Sequence, residues 1–291
     1  MAGKGVIGVD LGGTKILAGV LDGSGQIRER VERPTPMRSQ EALLDGLVEA
    51  VQELIGPDIA AVGFGVPARV DPRTGIALGA VNIPLHDLRF RGELEQRLGL
   101  PVGVVNDAGA AALAEFVHGA GRGTNDLVLL TLGTGVGGGV VLDGRLYHGW
   151  AELGHVVIVE DGEPCQGACT GHGHVESYCS GNAADRLARE VLGDGATAHD
   201  LVEQRHPALA RIGRHLGMAI ASLVNIFHPE IVVIGGGFGV AAGALLIEPA
   251  RAVMSVEALA PGGDDVRLAV AELGSSAGLI GAGLVAFEAL E

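Results

Sequence analysis

From Val6 to Ile27 an apolar run meets Gly12-Gly13, a second apolar run follows, and Asp22-Gly23-Ser24-Gly25 closes the stretch. That pattern predicts a strand, a glycine turn and a second strand ending in a hairpin turn. Leu43, Leu44, Leu47, Val48, Val51 and Leu54 recur at helical period, so a helix is expected over 41–55. Continuous apolar runs predict buried strands at 59–66 and 102–105, with helices at 91–98 and 108–116. A strand over 127–132, a glycine turn over 133–139 and a strand over 140–142, closed by Asp143-Gly144, come next. Helices are expected at 183–192, 209–227 and 276–290, the last rich in small residues, with a buried strand at 231–234. Alternating strands and helices give an α/β class.

The opening pattern occurs twice. Gly12 and Gly133 lie 121 residues apart, as do Leu21 and Leu142, and Asp22 and Asp143. A repeat at that spacing marks two similar halves, each beginning with strand, glycine loop and strand.

Composition narrows the class. The 49 glycines among 291 residues compare with about 20 expected from average usage. No Gly-x-y period runs through them, which excludes collagen. With 47% hydrophobic and 19% charged residues the chain is not a disordered low-complexity sequence, and its length favours two domains. A net charge of −15 argues against nucleic acid or an anionic membrane as partner. The absence of an 18-residue apolar run, of a signal-peptide pattern and of a disulfide framework leads us to expect a soluble cytoplasmic protein. Lys4 and Lys15 are the only lysines among 20 basic residues.

Three glycine clusters are candidates for phosphate chemistry. In Asp10-Leu11-Gly12-Gly13-Thr14-Lys15, backbone N–H groups can converge on an anion with no Cβ in the way, and Thr14 adds a hydroxyl donor. Asp10 offers the carboxylate that a nucleotide-bound Mg²⁺ takes through water. A hairpin turn needing glycine explains the same residues. The second cluster, Leu132-Gly133-Thr134-Gly135-Val136-Gly137-Gly138-Gly139, formally contains G-x-G-x-x-G. A dinucleotide site requires a helix after it, whereas strand pattern continues here. Gly235-Gly236-Gly237-Phe238-Gly239 follows a buried strand, where a base or ribose could lie, or where the chain simply turns into a helix.

Together with Val105-Asn106-Asp107-Ala108, Glu152-Leu153-Gly154-His155, Glu176-Ser177-Tyr178-Cys179-Ser180-Gly181 and Asn225-Ile226-Phe227-His228-Pro229-Glu230, these segments resemble the ROK family of sugar kinases and repressors. They occur in family order over almost the whole chain. The resemblance implies an α/β fold of two actin-like (ribonuclease H-like) ATPase domains with a central ligand cleft. Residues 1–107 with about 276–291 would form the smaller domain, and 108–275 the larger. The repressors carry an N-terminal DNA-binding extension, whereas the first strand here starts about five residues in, so the kinase branch is expected. The implied ligands are ATP, Mg²⁺ and a hexose, most simply glucose phosphorylated at its 6-hydroxyl. Other hexoses (mannose, fructose, allose, N-acetylmannosamine), a non-catalytic sugar sensor and a polyphosphate donor are the alternatives, and the family is commonly dimeric.

Carried over residue by residue, the resemblance makes Asp107 the general base. Asn82, Asn106, Asp107, Glu152, His155 and Glu176 would bind the sugar. Asp10, Gly12, Gly13, Thr14, Lys15, Gly133, Thr134, Gly135, Gly236 and Gly237 would bind the nucleotide and Mg²⁺. Read from its neighbours alone, Asp107 could also be a helix N-cap. His86 stands where the family commonly has Trp, and Ala68 where Gly is usual. Family members often hold a structural Zn²⁺ with one His and three Cys, the third Cys falling at position 174. Here His155, Cys165, Cys169 and His174 form a Cys₂His₂ set suited to tetrahedral zinc, with His172 as the substitute ligand if His174 points away. Cys179 reads as a small buried residue.

Overall fold

The structure is a computed structural model that describes residues 5–71, 73–80 and 82–290. In chain order its elements are β1 (Gly5–Leu11), β2 (Lys15–Leu21), β3 (Ile27–Pro34), α1 (Gln40–Gln52), β4 (Ile59–Val66), β5 (Ala68–Asp71), β6 (Ile76–Ala80), β7 (His86–Leu88), α2 (Phe90–Leu98), β8 (Val102–Asn106) and α3 (Asp107–His118). There follow β9 (Leu127–Leu132), β10 (Val136–Leu142), β11 (Arg145–Leu146), α4 (Val175–Cys179), α5 (Gly181–Leu192), α6 (Ala198–Glu203), α7 (Leu209–Phe227), β12 (Ile231–Gly235), α8 (Gly237–Ala242), α9 (Ala244–Glu257), α10 (Gly262–Asp265), β13 (Arg267–Val270) and α11 (Ala277–Glu288). Two compact units divide the chain. The first runs to Ala114 and includes His148–Trp150 and the chain from Ser275; the second holds Glu115–Tyr147 and Ala151–Gly274.

The first unit is built on a five-stranded sheet in the order β3-β2-β1-β4-β8. β1, β4 and β8 run parallel, while β2 and β3 are antiparallel to their neighbours. Gly8, Gly63 and Gly103 stand side by side in register across these three parallel strands. A Cβ on any of them would drive into the backbone of α11 at Leu279, Ala282 or Val285. The three glycines thus form a trough that admits the helix close to the sheet, a reason for glycine in a strand that its entropy cost would otherwise disfavour. The core gathers Ile7, Val9, Leu47, Val62, Phe64, Phe90 and Leu94. Phe64 and Phe90 meet edge to face at 5.6 Å.

The second unit repeats the plan, with order β11-β10-β9-β12-β13 and the same parallel and antiparallel pairings. The internal repeat is therefore a repeat of topology. Its core packs Val128, Leu130, Val232 and Ile234 with Leu216, Ile220 and Leu246. Here glycine serves helix packing: Gly213 and Gly217 of α7 face the Leu246 and Ala250 carbonyls of α9, and an added Cβ would lie 2.7 and 2.6 Å from them.

Most predicted elements form within a residue or two of their expected bounds. Three departures have physical causes. β3 has six charged or proline residues among its eight, because it lies at a sheet edge where one face meets water. The small sheet β5-β6-β7 is made of strands of three to five residues, too short for a clear period. Gly137, Gly138 and Gly139 belong to β10, paired with Thr131, Leu130 and Leu129, so the predicted turn over 133–139 shrinks to its first residues. Gly138 is glycine because the Leu153 side chain packs against it, 2.5 Å from where a Cβ would stand.

Candidate functional site

In the first unit the candidate residues collect at the carboxyl ends of the parallel strands. Asp10 pairs with Gly65, and Gly65 with Val105, so Asp10, Gly65 and the Asn106-Asp107 step form one row. Open α/β sheets bind ligands at that edge. Burial pushes the Asp10 carboxyl up to about 6, with Lys15 pulling the other way. A half-buried acid of this kind is ready to be stabilised by a cation. The first turn of α11 comes close to it: a Cβ on Gly278 would stand 2.6 Å from the Asp10 carboxyl carbon. The Gly12–Thr14 turn is tied by Gly12 N–H to the Lys15 carbonyl (2.8 Å) and by Thr35, whose N–H and hydroxyl donate to the Thr14 and Gly12 carbonyls (3.0 and 2.7 Å). Thr35 carries no motif, so its part in the turn was not legible from sequence. The exposed Lys15 ammonium pairs with Glu32 at 2.9 Å. Asn82 is exposed, its carbonyl 3.6 Å from a Cβ built on Gly13.

Asn106, rather than Asp107, caps α3. Its side-chain oxygen accepts the N–H groups of Ala108 (3.0 Å) and Gly109 (3.4 Å), and its amide nitrogen donates to the Ala68 carbonyl (3.2 Å). Asp107 then begins the helix, partly exposed, with Oδ1 accepting Ala108 N–H at 2.8 Å. An acid here also complements the helix dipole.

In the second unit the loop between β9 and β10 is narrow. Gly133 N–H donates to the Gly135 carbonyl (3.0 Å), Gly181 N–H at the start of α5 donates to the Gly133 carbonyl (2.7 Å), and Thr134 is exposed. Glu176, on α4, accepts the Val136 N–H through Oε2 at 2.9 Å. Its carboxylate lies so close over Gly135 that a side chain there would collide with it. Glu176 is thus joined to the glycine turn as well as to the metal-ligand loop described below. Gly236, at φ +77, lies 2.5 Å from the Leu132 backbone where its Cβ would be, and Gly237 starts α8, so this cluster is a strand-to-helix turn that only glycine can make. Exposed Glu152 precedes a single helical turn, Leu153–His155, which packs on β10 where Gly154 meets the Val136 carbonyl.

His155, Cys165, Cys169 and His174 converge with their ligand atoms all within 4.8 Å of one another. The two Nδ1 atoms are 3.2 Å apart, and the Cys165–His155 and Cys169–His174 separations are both 3.7 Å. A tetrahedral Zn²⁺ sets N···N near about 3.3 Å and N···S near about 3.6 Å. The donor set and its spacing therefore fit that ion. Burial and the Cys169 sulfur push the Cys165 thiol up to about 11, and burial with His155 lowers His174. Both shifts disfavour charge on the ligands alone, the state that a bound cation reverses. His172 turns away, with Nδ1 3.2 Å from the Gly162 carbonyl; His174 is the fourth member. Cys179 is fully buried, and burial raises its thiol.

Known proteins of one family are similar to this chain over nearly its whole length. The ROK family model matches residues 6–289. A glucokinase of Streptomyces coelicolor is 35% identical over 97% of both chains. A ROK glucokinase from Streptomyces griseus, solved with glucose and AMPPNP, shares 34% identity with a TM-score of 0.82, covering 98% of this chain and 99% of its own. A ROK hexokinase from Thermus thermophilus shares 36% identity with a TM-score of 0.84 over the same proportions. Among the described residues no helix is long and apolar enough to cross a membrane. The fold is that of the ROK kinases, with actin-like α/β units, and the chain belongs to the ROK family.

Proposed function

We propose that the protein is an ATP-dependent hexose kinase that phosphorylates the 6-hydroxyl of glucose. The observation that carries this is the row at the strand ends: two half-buried acids, Asp10, whose carboxyl burial pushes up to about 6, and Asp107, on one sheet edge. One acid suits Mg²⁺ on the nucleotide and the other suits proton removal. Glucokinases among the relatives support the choice of sugar.

Asp107 accepts the proton of the sugar 6-hydroxyl as that oxygen bonds to the γ-phosphorus. The bond from phosphorus to the β–γ bridging oxygen breaks, and ADP leaves. Asn82, Asn106, Glu152, His155 and Glu176 are the residues assigned to the remaining hydroxyls. His155 turns Nδ1 toward the cysteine–histidine cluster, which leaves Nε2 for the sugar. Gly12, Gly13 and Thr14, with Gly133, Thr134 and Gly135, offer N–H and hydroxyl groups to the phosphates. Zinc held by His155, Cys165, Cys169 and His174 would fix the loop that carries His155 and Glu176.

A coupled ADP-release assay over glucose, mannose, fructose, allose and N-acetylmannosamine, with ATP or polyphosphate, tests the reading. Glucose with ATP is expected to give the highest kcat/KM, and Asp107→Ala should lower kcat by about 10²–10⁴-fold. No turnover on any sugar overturns the kinase assignment; near-normal turnover by the variant removes the base. Elemental analysis after purification without added metal should find about one zinc per chain. A content well below that rejects the metal site.

A further inference from the structure

Glu115 is fully buried, yet it is an acid. Its Oε2 accepts the N–H groups of Ala120 (2.9 Å) and Glu272 (3.1 Å), and its Oε1 accepts that of Leu273 (2.8 Å). Its backbone carbonyl accepts the N–H groups of Gly119 (3.0 Å) and Gly121 (2.9 Å). Among the described residues every one of these partners is a backbone amide. Gly119 is glycine where a side chain would collide with Oε2. A buried carboxylate without a cation is expensive to retain for packing alone. What it provides here is three directed acceptor positions, which neither an apolar residue nor an amide can offer.

The place of this hub gives it a meaning. The chain passes from the first unit to the second between Ala114 and Glu115, and returns between Gly274 and Ser275. Glu115 therefore sits on one passage and holds Glu272 and Leu273, immediately before the other. Upstream, α3 runs back eight residues, about 12 Å, to Asp107. Downstream, α11 begins at Ala277 and presses Gly278 against Asp10 and Gly281 against the Ala110 carbonyl of α3.

We propose that Glu115 is a positioning residue for phosphoryl transfer: by fastening the end of α3 to the segment before α11, it sets the axial register of α3 and so the place of Asp107. The inference rests on the kinase reading above. It acts through Asp107: among the described residues, none of the groups that Glu115 hydrogen-bonds belongs to the candidate ligand residues.

Two variants test it. Glu115→Gln keeps the size but puts an NH₂ against N–H donors; Gly119→Ala leaves the carboxylate intact and pushes on it. Each should fold and bind glucose by calorimetry within about threefold of the parent. Each should lose about tenfold to a hundredfold in kcat, the loss that a displaced catalytic group brings. In hydrogen exchange, both should speed exchange at Ala120, Glu272 and Leu273 and also at Ala108 and Gly109, in the first turn of α3. A folded variant with unchanged kcat, or faster exchange that stops short of Ala108 and Gly109, overturns the proposal. If the parent phosphorylates no hexose, the kinase reading falls, and the exchange at Ala108 and Gly109 still decides whether Glu115 positions the helix.

Discussion

The two units share one sheet order and one set of pairings, yet they spend their glycines differently. In the first, the paired residues Gly8 and Gly63 lie under a helix. In the second, the pair at the same register is Leu129 and Val233, both buried apolar side chains. One sheet gives up side chains so that α11 can press on the backbone; the other keeps them and fills its core conventionally. The strand-end position differs too. Asp10 in the first unit corresponds through the repeat to Thr131 in the second. Topology was thus retained while one copy took a half-buried acid and the other took the metal-ligand loop. Much of the glycine surplus belongs to packing of this kind rather than to phosphate turns.

The trough makes the strongest prediction. Gly63→Ala, a change that leaves strand propensity no worse, should cost about 3 kcal/mol or more, because the new methyl enters the Ala282 carbonyl and neither backbone can retreat from a packed layer. Its counterpart change in the second unit, Val233→Ala, should cost less, about 2 kcal/mol, since it only leaves a cavity. Thermal unfolding of both variants ranks them. A Gly63→Ala protein that melts with the parent would mean that α11 rides further from the sheet than described.

These contrasts also mark what the sequence could tell. Strong periods located α7 and β9 to the residue, because long apolar faces leave little choice of element or bounds. The repeat was visible because both glycine turns punctuate apolar strands. Asp107, His155, Cys165, Cys169 and His174 stood out through the resemblance to the ROK family, whereas its neighbours alone left Asp107 equally readable as a helix N-cap. The glycine trough was not, because three residues 55 and 40 positions apart become neighbours only when parallel strands fall into register. Nor was the role of Asn106 as cap beside Asp107: the two adjacent polar residues are interchangeable until the backbone turns. Glu115 falls inside the helix predicted over 108–116, and its sequence neighbours do not single it out.

The strand-end contrast can be tested by titration. Asp10 is held at about 6 against an ordinary 3.8, with burial the main cause. The folded chain therefore binds that proton more tightly than the unfolded chain does. The resulting stabilisation is complete below pH 4 and is lost as pH rises through about 6. Asp10→Asn, made neutral like Thr131, should consequently exceed the parent in stability above pH 6 by on the order of 1 to 3 kcal/mol, and the gap should close toward pH 4. Denaturant midpoints at pH 5 and pH 8 provide the measurement; an unchanging gap would show that Asp10 is ionised throughout. Hexose kinase activity of the parent should rise through pH 6 as Asp10 ionises, and the variant should lose it.

The smallest effect concerns the last residue of each turn. Lys15 and Val136 occupy the same place in the repeat. Val136 is buried, its N–H held by Glu176, whereas Lys15 projects outward to Glu32 with both side chains more than half exposed. Exposed pairs of this kind contribute little, so Lys15→Ala should change stability by less than about 1 kcal/mol. If the ammonium remains with Glu32 during turnover, KM for ATP should move by less than about threefold, with glucose KM unchanged. A tenfold rise confined to ATP would mean that Lys15 leaves Glu32 for the phosphates. The two turns would then differ in charge, and the first would carry a cation at a place where the second offers only a backbone N–H.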